Sequence, residues 1–103
     1  MLLHATHTHS PESCPGPHVD RMKVLNGGFS KLEEAAKANG VKVLAGAYAF
    51  QEHTGFFLID APSTRAAQTF FGAIFPGMLA SVHMVPVVDL AEAKEIIADM
   101  AAR

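Results

Sequence analysis

Residues 41–60, VKVLAGAYAFQEHTGFFLID, contain the clearest indication of the fold class of this chain. Residues 41–52 are rich in valine and aromatic side chains, which favour a β-strand. The sequence His53-Thr54-Gly55 then predicts a turn, and residues 56–60 predict a second strand. The middle of the chain is therefore predicted to be a β-hairpin.

The segments before the hairpin predict a strand and a helix. Residues 2–9 contain no breaker before Ser10-Pro11, and they predict the first strand. Residues 19–39 contain helix-forming side chains, with the sequence Asn-Gly-Gly at 26–28 in their middle. Because glycines weaken a helix, we expect a helical turn before residue 26 and the main helix from Ser30. A kinked single helix is the alternative. A capping box from Ser30 to Glu33 would begin the main helix, and Asn39-Gly40 would end it.

The segments after the hairpin predict helix, strand and helix. Pro62-Ser63 would begin a helix whose apolar side chains recur at spacings of three and four, and Pro76-Gly77 would end it. That apolar face consists of Ala67, Phe70, Phe71, Ile74 and Phe75. Residues 79–88 predict the fourth strand, and Asp89 with Glu92 predicts the start of a last helix.

The resulting order is β-α-β-β-α-β-α, which contains two βαβ units. Right-handed crossovers leave few arrangements, and the commonest is a ferredoxin-like, four-stranded antiparallel sheet with strand order 4-1-3-2 in a single domain spanning residues 1–103. Helices cover only one face of such a sheet. We therefore expect a second copy of the chain, as a homodimer or a higher homo-oligomer, to cover the other face.

Composition narrows the class of partner. Half of the 103 residues are hydrophobic, 17% are charged and the net charge is -2, so we expect no nucleic acid or membrane partner. The longest apolar run, residues 43–50, is too short to cross a membrane. The single cysteine, Cys14, cannot form an intrachain disulfide, which favours a reducing compartment, and we expect the cytoplasm.

Histidine is the unusual component of the sequence, with six residues in this short chain. His7 and His9 lie two apart on the first predicted strand, so their side chains leave the same face. The predicted topology brings the end of that strand close to His53, and Cys14 follows on the next loop. Imidazole nitrogens and a thiolate suit a divalent transition metal such as Zn²⁺, Cu, Ni²⁺ or Fe²⁺.

We therefore predict a metal site formed by His7, His9, His53 and Cys14, in a small metalloprotein that could be an enzyme. Glu52, at the same edge of the sheet, is a candidate to hydrogen-bond a ligating histidine or to act as a base. The glycines at 27 and 28 do not follow a strand and do not form a phosphate-binding loop, so no residue is assigned to an organic cofactor.

Four stretches resemble small dimeric α/β-barrel proteins of the ferredoxin-like group. They are THTHSPESCP at 6–15, GVKVLAGAY at 40–48, EHT at 52–54 and VPV at 85–87. The group includes muconolactone isomerase-like, antibiotic-monooxygenase-like and stress-responsive proteins, and this chain resembles an uncharacterised subgroup. The resemblance implies the fold and the dimer, and it carries over no catalytic motif.

Two other functions fit the same residues. The first is a metal-free isomerase or monooxygenase-like enzyme that binds a small molecule between sheet and helices, with Tyr48, His4 or His83 transferring protons. The second is a module that senses redox state or pH through Cys14 and the nearby histidines. Glu52, Cys14 and Tyr48 are thus the catalytic candidates.

A purely structural explanation of the histidines also remains open. Histidines within a central strand can be buried groups that hydrogen-bond to their neighbours, and His53 can be an ordinary turn residue. His4 and His83 lie within apolar strands, where a structural role is the default. The sequence assigns no role to His18.

Overall fold

The computed structural model describes residues 1–76 and 80–103 and contains one four-stranded antiparallel sheet within them. Its strands are β1 (Leu2–His9), β2 (Lys42–Ala49), β3 (Thr54–Asp60) and β4 (Ala80–Pro86). They are arranged in the order β2-β3-β1-β4, and every neighbouring pair is antiparallel. This order is the predicted 4-1-3-2 written from the other edge, so the ferredoxin-like fold is confirmed.

The helices occupy the predicted places in the chain. They are α1 (Val19–Ser30), α2 (Leu32–Ala38), α3 (Thr64–Ile74) and α4 (Leu90–Ala101). Short 3₁₀ turns lie at Pro11–Ser13 and Phe50–Glu52. Two predicted helix starts are confirmed by their caps, because Ser63 Oγ accepts a hydrogen bond from Ala66 N (3.0 Å) and Asp89 Oδ1 accepts one from Glu92 N (2.8 Å).

The predicted helix break at residues 26–28 is wrong. α1 continues through these residues to Ser30, and the interruption falls at Lys31 instead. The physical reason is packing between helices. A Cβ atom on Gly28 would lie 2.6 Å from the backbone oxygen of Ile74, so the missing side chain lets α1 approach the end of α3.

The predicted capping box between Ser30 and Glu33 is also wrong. Lys31 is the residue before α2, and its side chain makes no capping hydrogen bond to the start of that helix. The Ser30 hydroxyl instead donates a hydrogen bond to the backbone oxygen of Gly27 at 2.9 Å. Because Ser30 remains inside α1, its side chain bonds back along its own helix.

Strand ends differ from the predicted ends by a few residues. β2 ends at Ala49 rather than at residue 52, because residues 50–52 form a 3₁₀ turn, and β3 begins at Thr54 rather than at residue 56. β4 ends at Pro86 instead of residue 88. The predicted start of this strand at Leu79 and the predicted stop of the preceding helix at Gly77 lie outside the described residues.

The core lies between the sheet and the first three helices. Side chains of β1 and β3 that point to this face pack against α2, α3 and the inner side of α1. The apolar face predicted for α3 is confirmed, since all five of its members are buried. The buried apolar residues are Leu3, Ala5, Ala35, Ala36, Val41, Phe57, Ile59, Ala61, Ala67, Phe70, Phe71, Ile74 and Phe75.

The opposite face of the sheet and α4 contribute little to this core. Phe56, Val85 and Leu44 remain exposed, and no residue of α4 is buried. The radius of gyration is 16.0 Å, whereas a compact chain of this length has about 13 Å. Among residues 1–76 and 80–103, no helix is long and apolar enough to cross a membrane.

Candidate metal centre

β1 directs two histidines toward the helices. Alternation along the strand places His7 and His9 on the same face as Leu3 and Ala5, so both imidazoles point into the protein. Their ring centroids lie 5.7 Å apart. His7 is only 1% exposed, whereas His9 is half-buried near the end of the strand.

His53 reaches His9 through an uncommon backbone conformation. It has φ 53° and ψ 36°, in the left-handed region, and it is the only non-glycine residue with positive φ among the described residues. The backbone N–H of His9 donates to the His53 oxygen at 3.2 Å, and His53 Nδ1 faces His9 Nε2 at 3.2 Å. The tight turn after β2 therefore places the two imidazoles in contact.

The loop after β1 folds back to bring Cys14 to the same place. Ser10 Oγ accepts a hydrogen bond from Ser13 N at 3.3 Å, and Cys14 N donates to the backbone oxygen of Pro11 at 3.3 Å. These bonds close a 3₁₀ turn immediately before the cysteine. As a result, one donor atom from each of His9, Cys14 and His53 lies within 4.8 Å of the others.

The separations in this cluster suit a shared metal ion. Two nitrogens bound to one tetrahedral ion at 2.0–2.1 Å lie about 3.3 Å apart, and a nitrogen and a sulfur lie about 3.6 Å apart. The facing nitrogens of His9 and His53 are 3.2 Å apart. A movement of about 1 Å by the Cys14 side chain would complete the set.

His7 is directed into a different contact. Its Nδ1 hydrogen-bonds to the Tyr48 hydroxyl at 3.2 Å, and its ring stacks on Phe75 with centroids 3.9 Å apart. Gly55 pairs with His7 on one side and with Tyr48 on the other. A Cβ atom there would lie 2.7 Å from the Tyr48 ring, so glycine is what lets the ring lie across β3 toward His7.

Burial keeps these side chains neutral. It lowers the pKa of His7 from 6.5 to about 4, with the nearby charge of His9 a smaller cause. Burial and the charge of His53 also lower the pKa of His9, and burial raises the pKa of Tyr48. A neutral imidazole is the form that binds a metal, so the environment favours coordination over protonation.

Two buried nitrogens have no hydrogen-bond partner among the described residues. They are Nε2 of His7 and Nδ1 of His9. Buried polar atoms are normally paired, so each of these atoms is available to a ligand or an ordered water. Both residues line one cavity of about 230 Å³. Its walls also include Cys14, Pro15, Gly16, Met22, Leu25, Tyr48, Phe50 and His53.

The other candidates from the sequence lie away from the cluster. Glu52 is exposed and does not line the cavity, and His18 is exposed just before α1. His4 stacks on Phe56 on the uncovered face of the sheet, with ring centroids 5.7 Å apart. His83 is exposed on β4, paired with Thr6 of β1.

Sequence reasoning missed two residues that shape the cavity. Phe50 is 82% exposed at its wall and stacks on Tyr48 with centroids 5.4 Å apart. Gly55 positions the Tyr48 ring. The only signal in the sequence is the turn at residues 53–55, which predicts an ordinary hairpin turn and not an unusual backbone conformation.

Comparison with known proteins places the chain in a family. Residues 10–101 match the profile described as "Domain of unknown function (DUF3303)", so the chain belongs to that family. A crystal structure from Caulobacter crescentus CB15, described as a candidate antibiotic biosynthesis monooxygenase, is 20% identical and has a TM-score of 0.45. That match covers 85% of this chain and 89% of the other chain. No curated protein matches this sequence.

Proposed function

We propose that this protein binds one transition-metal ion between His9, Cys14 and His53 and acts as a homodimeric metalloprotein. The observation that carries the proposal is the approach of three donor atoms from three separate segments to within 4.8 Å. Two of the donors are imidazole nitrogens and one is a thiol sulfur, which are the usual ligands of zinc and copper. His7 is not one of the residues whose donor atoms lie within 4.8 Å of one another, and its Nδ1 is bonded to Tyr48.

The size of the cavity favours an ion over a large substrate. Pockets for drug-sized molecules usually have volumes of about 300–1,000 Å³. The cavity beside the three donors has a volume of about 230 Å³. It is large enough for a metal ion with one small additional ligand.

Metal titration of tag-free protein tests the proposal. Metal-free protein should bind one equivalent of Zn²⁺ or copper per chain, measured by elemental analysis after gel filtration. Cys14→Ser and His53→Asn should reduce binding strongly, and asparagine is chosen at position 53 because it tolerates positive φ. His18→Asn is the matched control at an exposed histidine and should bind like the unaltered protein. Stoichiometric binding that survives both site variants, or no binding by the unaltered protein, would contradict the proposal.

The homodimer is supported by two exposed apolar surfaces. One is the face of the sheet that includes Phe56 and Val85. The other is α4, where Leu90 is 88% exposed and Ile97 is 65% exposed. Apolar surface of this extent usually marks an interface, and a second copy would supply a cover for both surfaces at once.

Light scattering tests the dimer directly. The unaltered protein should have twice the mass of one chain, and Ile97→Glu should shift it toward the monomer by burying a charge in the interface. Ala91→Glu adds the same charge at an exposed position about 120° around the helix axis from Ile97, and it is the control. A monomeric unaltered protein would refute this part of the proposal without affecting the metal site.

A second candidate function is favoured by the Tyr48–His7 pair. Its hydroxyl–imidazole bond lies at the wall of the same cavity, and Nε2 of His7 has no partner among residues 1–76 and 80–103. Such a pair could transfer a proton to or from a small molecule in a metal-free enzyme. Tyr48→Phe separates the two functions, because it should leave metal stoichiometry unchanged and abolish turnover of a proton-transfer substrate.

A further inference from the structure

The three proposed ligands, His9, Cys14 and His53, carry little charge of their own. His9 and His53 contribute neutral imidazoles, and Cys14 contributes at most one negative charge as a thiolate. None of the Asp or Glu side chains in the described part of the chain lines the cavity. The protein therefore offers one negative charge to a bound ion.

The surroundings make a net charge unfavourable. Pro15, Met22, Leu25 and Phe50 supply apolar surface to the cavity wall. The three ligands are half-buried. A divalent ion bound to one thiolate would leave one uncompensated positive charge beside the apolar wall, where it is less well solvated than in water. A monovalent ion bound to the same thiolate leaves the site neutral.

The donor atoms are also soft. Thiolate and thioether sulfurs favour Cu(I), whereas carboxylates and water favour harder ions. Met22 lines the same cavity as the three ligands, and its thioether is the one further soft donor among the lining residues. A set of two histidines and one cysteine is typical of copper rather than of structural zinc, which prefers four strong ligands.

From the charge and the donors together, we infer that the ion held by His9, Cys14 and His53 is Cu(I). This inference rests on the proposed metal site and specifies its ion. On binding, Cu⁺ forms a bond to Cys14 Sγ and the thiol proton leaves to solvent, so the net charge of the site does not change. The two imidazoles bind as neutral ligands, and neither copper nor sulfur changes oxidation state.

Competition between two ions tests the inference. Metal-free, tag-free protein is incubated without oxygen with equimolar Cu(I), supplied from a weak chelator, and Zn²⁺. The bound metal is then measured after gel filtration. We expect one Cu(I) per chain and a preference over Zn²⁺ of more than about tenfold. X-ray absorption at the copper edge should show two nitrogen ligands and at least one sulfur ligand.

Two variants show which atoms select the ion. Cys14→Ser removes the soft anionic donor and should abolish the preference for Cu(I). Met22→Leu keeps the apolar wall but removes the thioether, and it should retain one Cu(I) with fewer sulfur neighbours in the absorption spectrum. Far-ultraviolet circular dichroism verifies that both variants are folded.

The outcomes separate this inference from the proposed function. Stoichiometric Zn²⁺ bound in preference to Cu(I), with loss in Cys14→Ser, would overturn the inference and leave the metal site standing. A preference for Cu(I) over Zn²⁺ that persists in Cys14→Ser would overturn the inference as well. If neither ion binds, both the inference and the proposed metal site are refuted.

Discussion

Replacing His7 with phenylalanine should remove a large part of the protein's pH dependence of stability. The His7 ring is buried and stacks on Phe75 with centroids 3.9 Å apart. Phenylalanine has a similar flat shape and cannot bind a proton. The variant therefore keeps the stacking contact and removes the titration.

The size of the effect follows from the pKa of His7, which burial lowers from 6.5 to about 4. Each tenfold change in proton affinity corresponds to about 1.4 kcal/mol. At a pH below both the unfolded-state and the folded-state pKa, protonation of His7 would therefore lower the unfolding free energy by about 3 kcal/mol. Because folding favours the neutral ring, this stability is complete above the unfolded-state pKa and is lost as the pH falls toward the folded-state pKa. Between about pH 7.5 and about pH 5, the His7 contribution should be about 2 kcal/mol.

Urea unfolding at these two pH values measures the effect, with a chelator present so that metal binding does not contribute. The unaltered protein should lose about 2 kcal/mol more unfolding free energy than His7→Phe as the pH falls. The variant will also have a lower stability at both pH values, because the Tyr48 hydroxyl loses its partner. That loss is the same at both pH values, so it cancels when the change in unfolding free energy between the two pH values is compared. His18→Asn is the control for an exposed histidine.

Equal pH dependence in the unaltered protein and His7→Phe would refute the reasoning. It would mean that the buried ring is protonated as easily in the folded protein as in the unfolded chain. A similar reduction in His18→Asn would also contradict it, since that side chain is exposed.

Three further predictions concern local structure. Gly28→Ala should lower the unfolding free energy by about 1–3 kcal/mol, because the new Cβ would lie 2.6 Å from a backbone oxygen. Gly27→Ala should raise the unfolding free energy by about 1 kcal/mol, because a Cβ there meets nothing within 4 Å and alanine is the better helix former. Urea titration of the pair measures both, and equal changes would contradict the close helix contact. Gly55→Ala should displace Tyr48 and cost about 1–3 kcal/mol, with the tyrosine ring resonances shifted in NMR spectra; an unshifted ring would be inconsistent with the contact. Asp89→Ala should remove the cap of α4 at a cost of about 1 kcal/mol, seen as faster amide exchange in its first turn, and unchanged exchange would argue against the cap.

The elements of this fold follow from local patterns. The β2–β3 hairpin was predicted from residues 41–60, and the apolar face of α3 was predicted from spacings of three and four. Short connections and crossover handedness then restrict the strand order, which is confirmed. These features depend on side-chain periodicity and backbone sterics, which act over a few neighbouring residues.

The site could be predicted only in part. Topology alone indicated that His9, His53 and Cys14 approach each other, because the end of β1 and the turn before β3 meet at one edge of the sheet. The separate position of His7 could not be predicted. It depends on the Tyr48 ring crossing Gly55, which involves three strands and a single missing Cβ atom.

Local sequence patterns predict the types and order of the helices and strands, the strand order and, from the six histidines and one cysteine, a candidate site. The contact between α1 and the end of α3 explains the glycine inside α1, because a side chain at position 28 would collide with Ile74. Tertiary structure also decided which imidazole faces Cys14 and which faces Tyr48. Periodicity specifies the face to which a side chain points, but the partner it meets there depends on contacts between segments far apart in the chain.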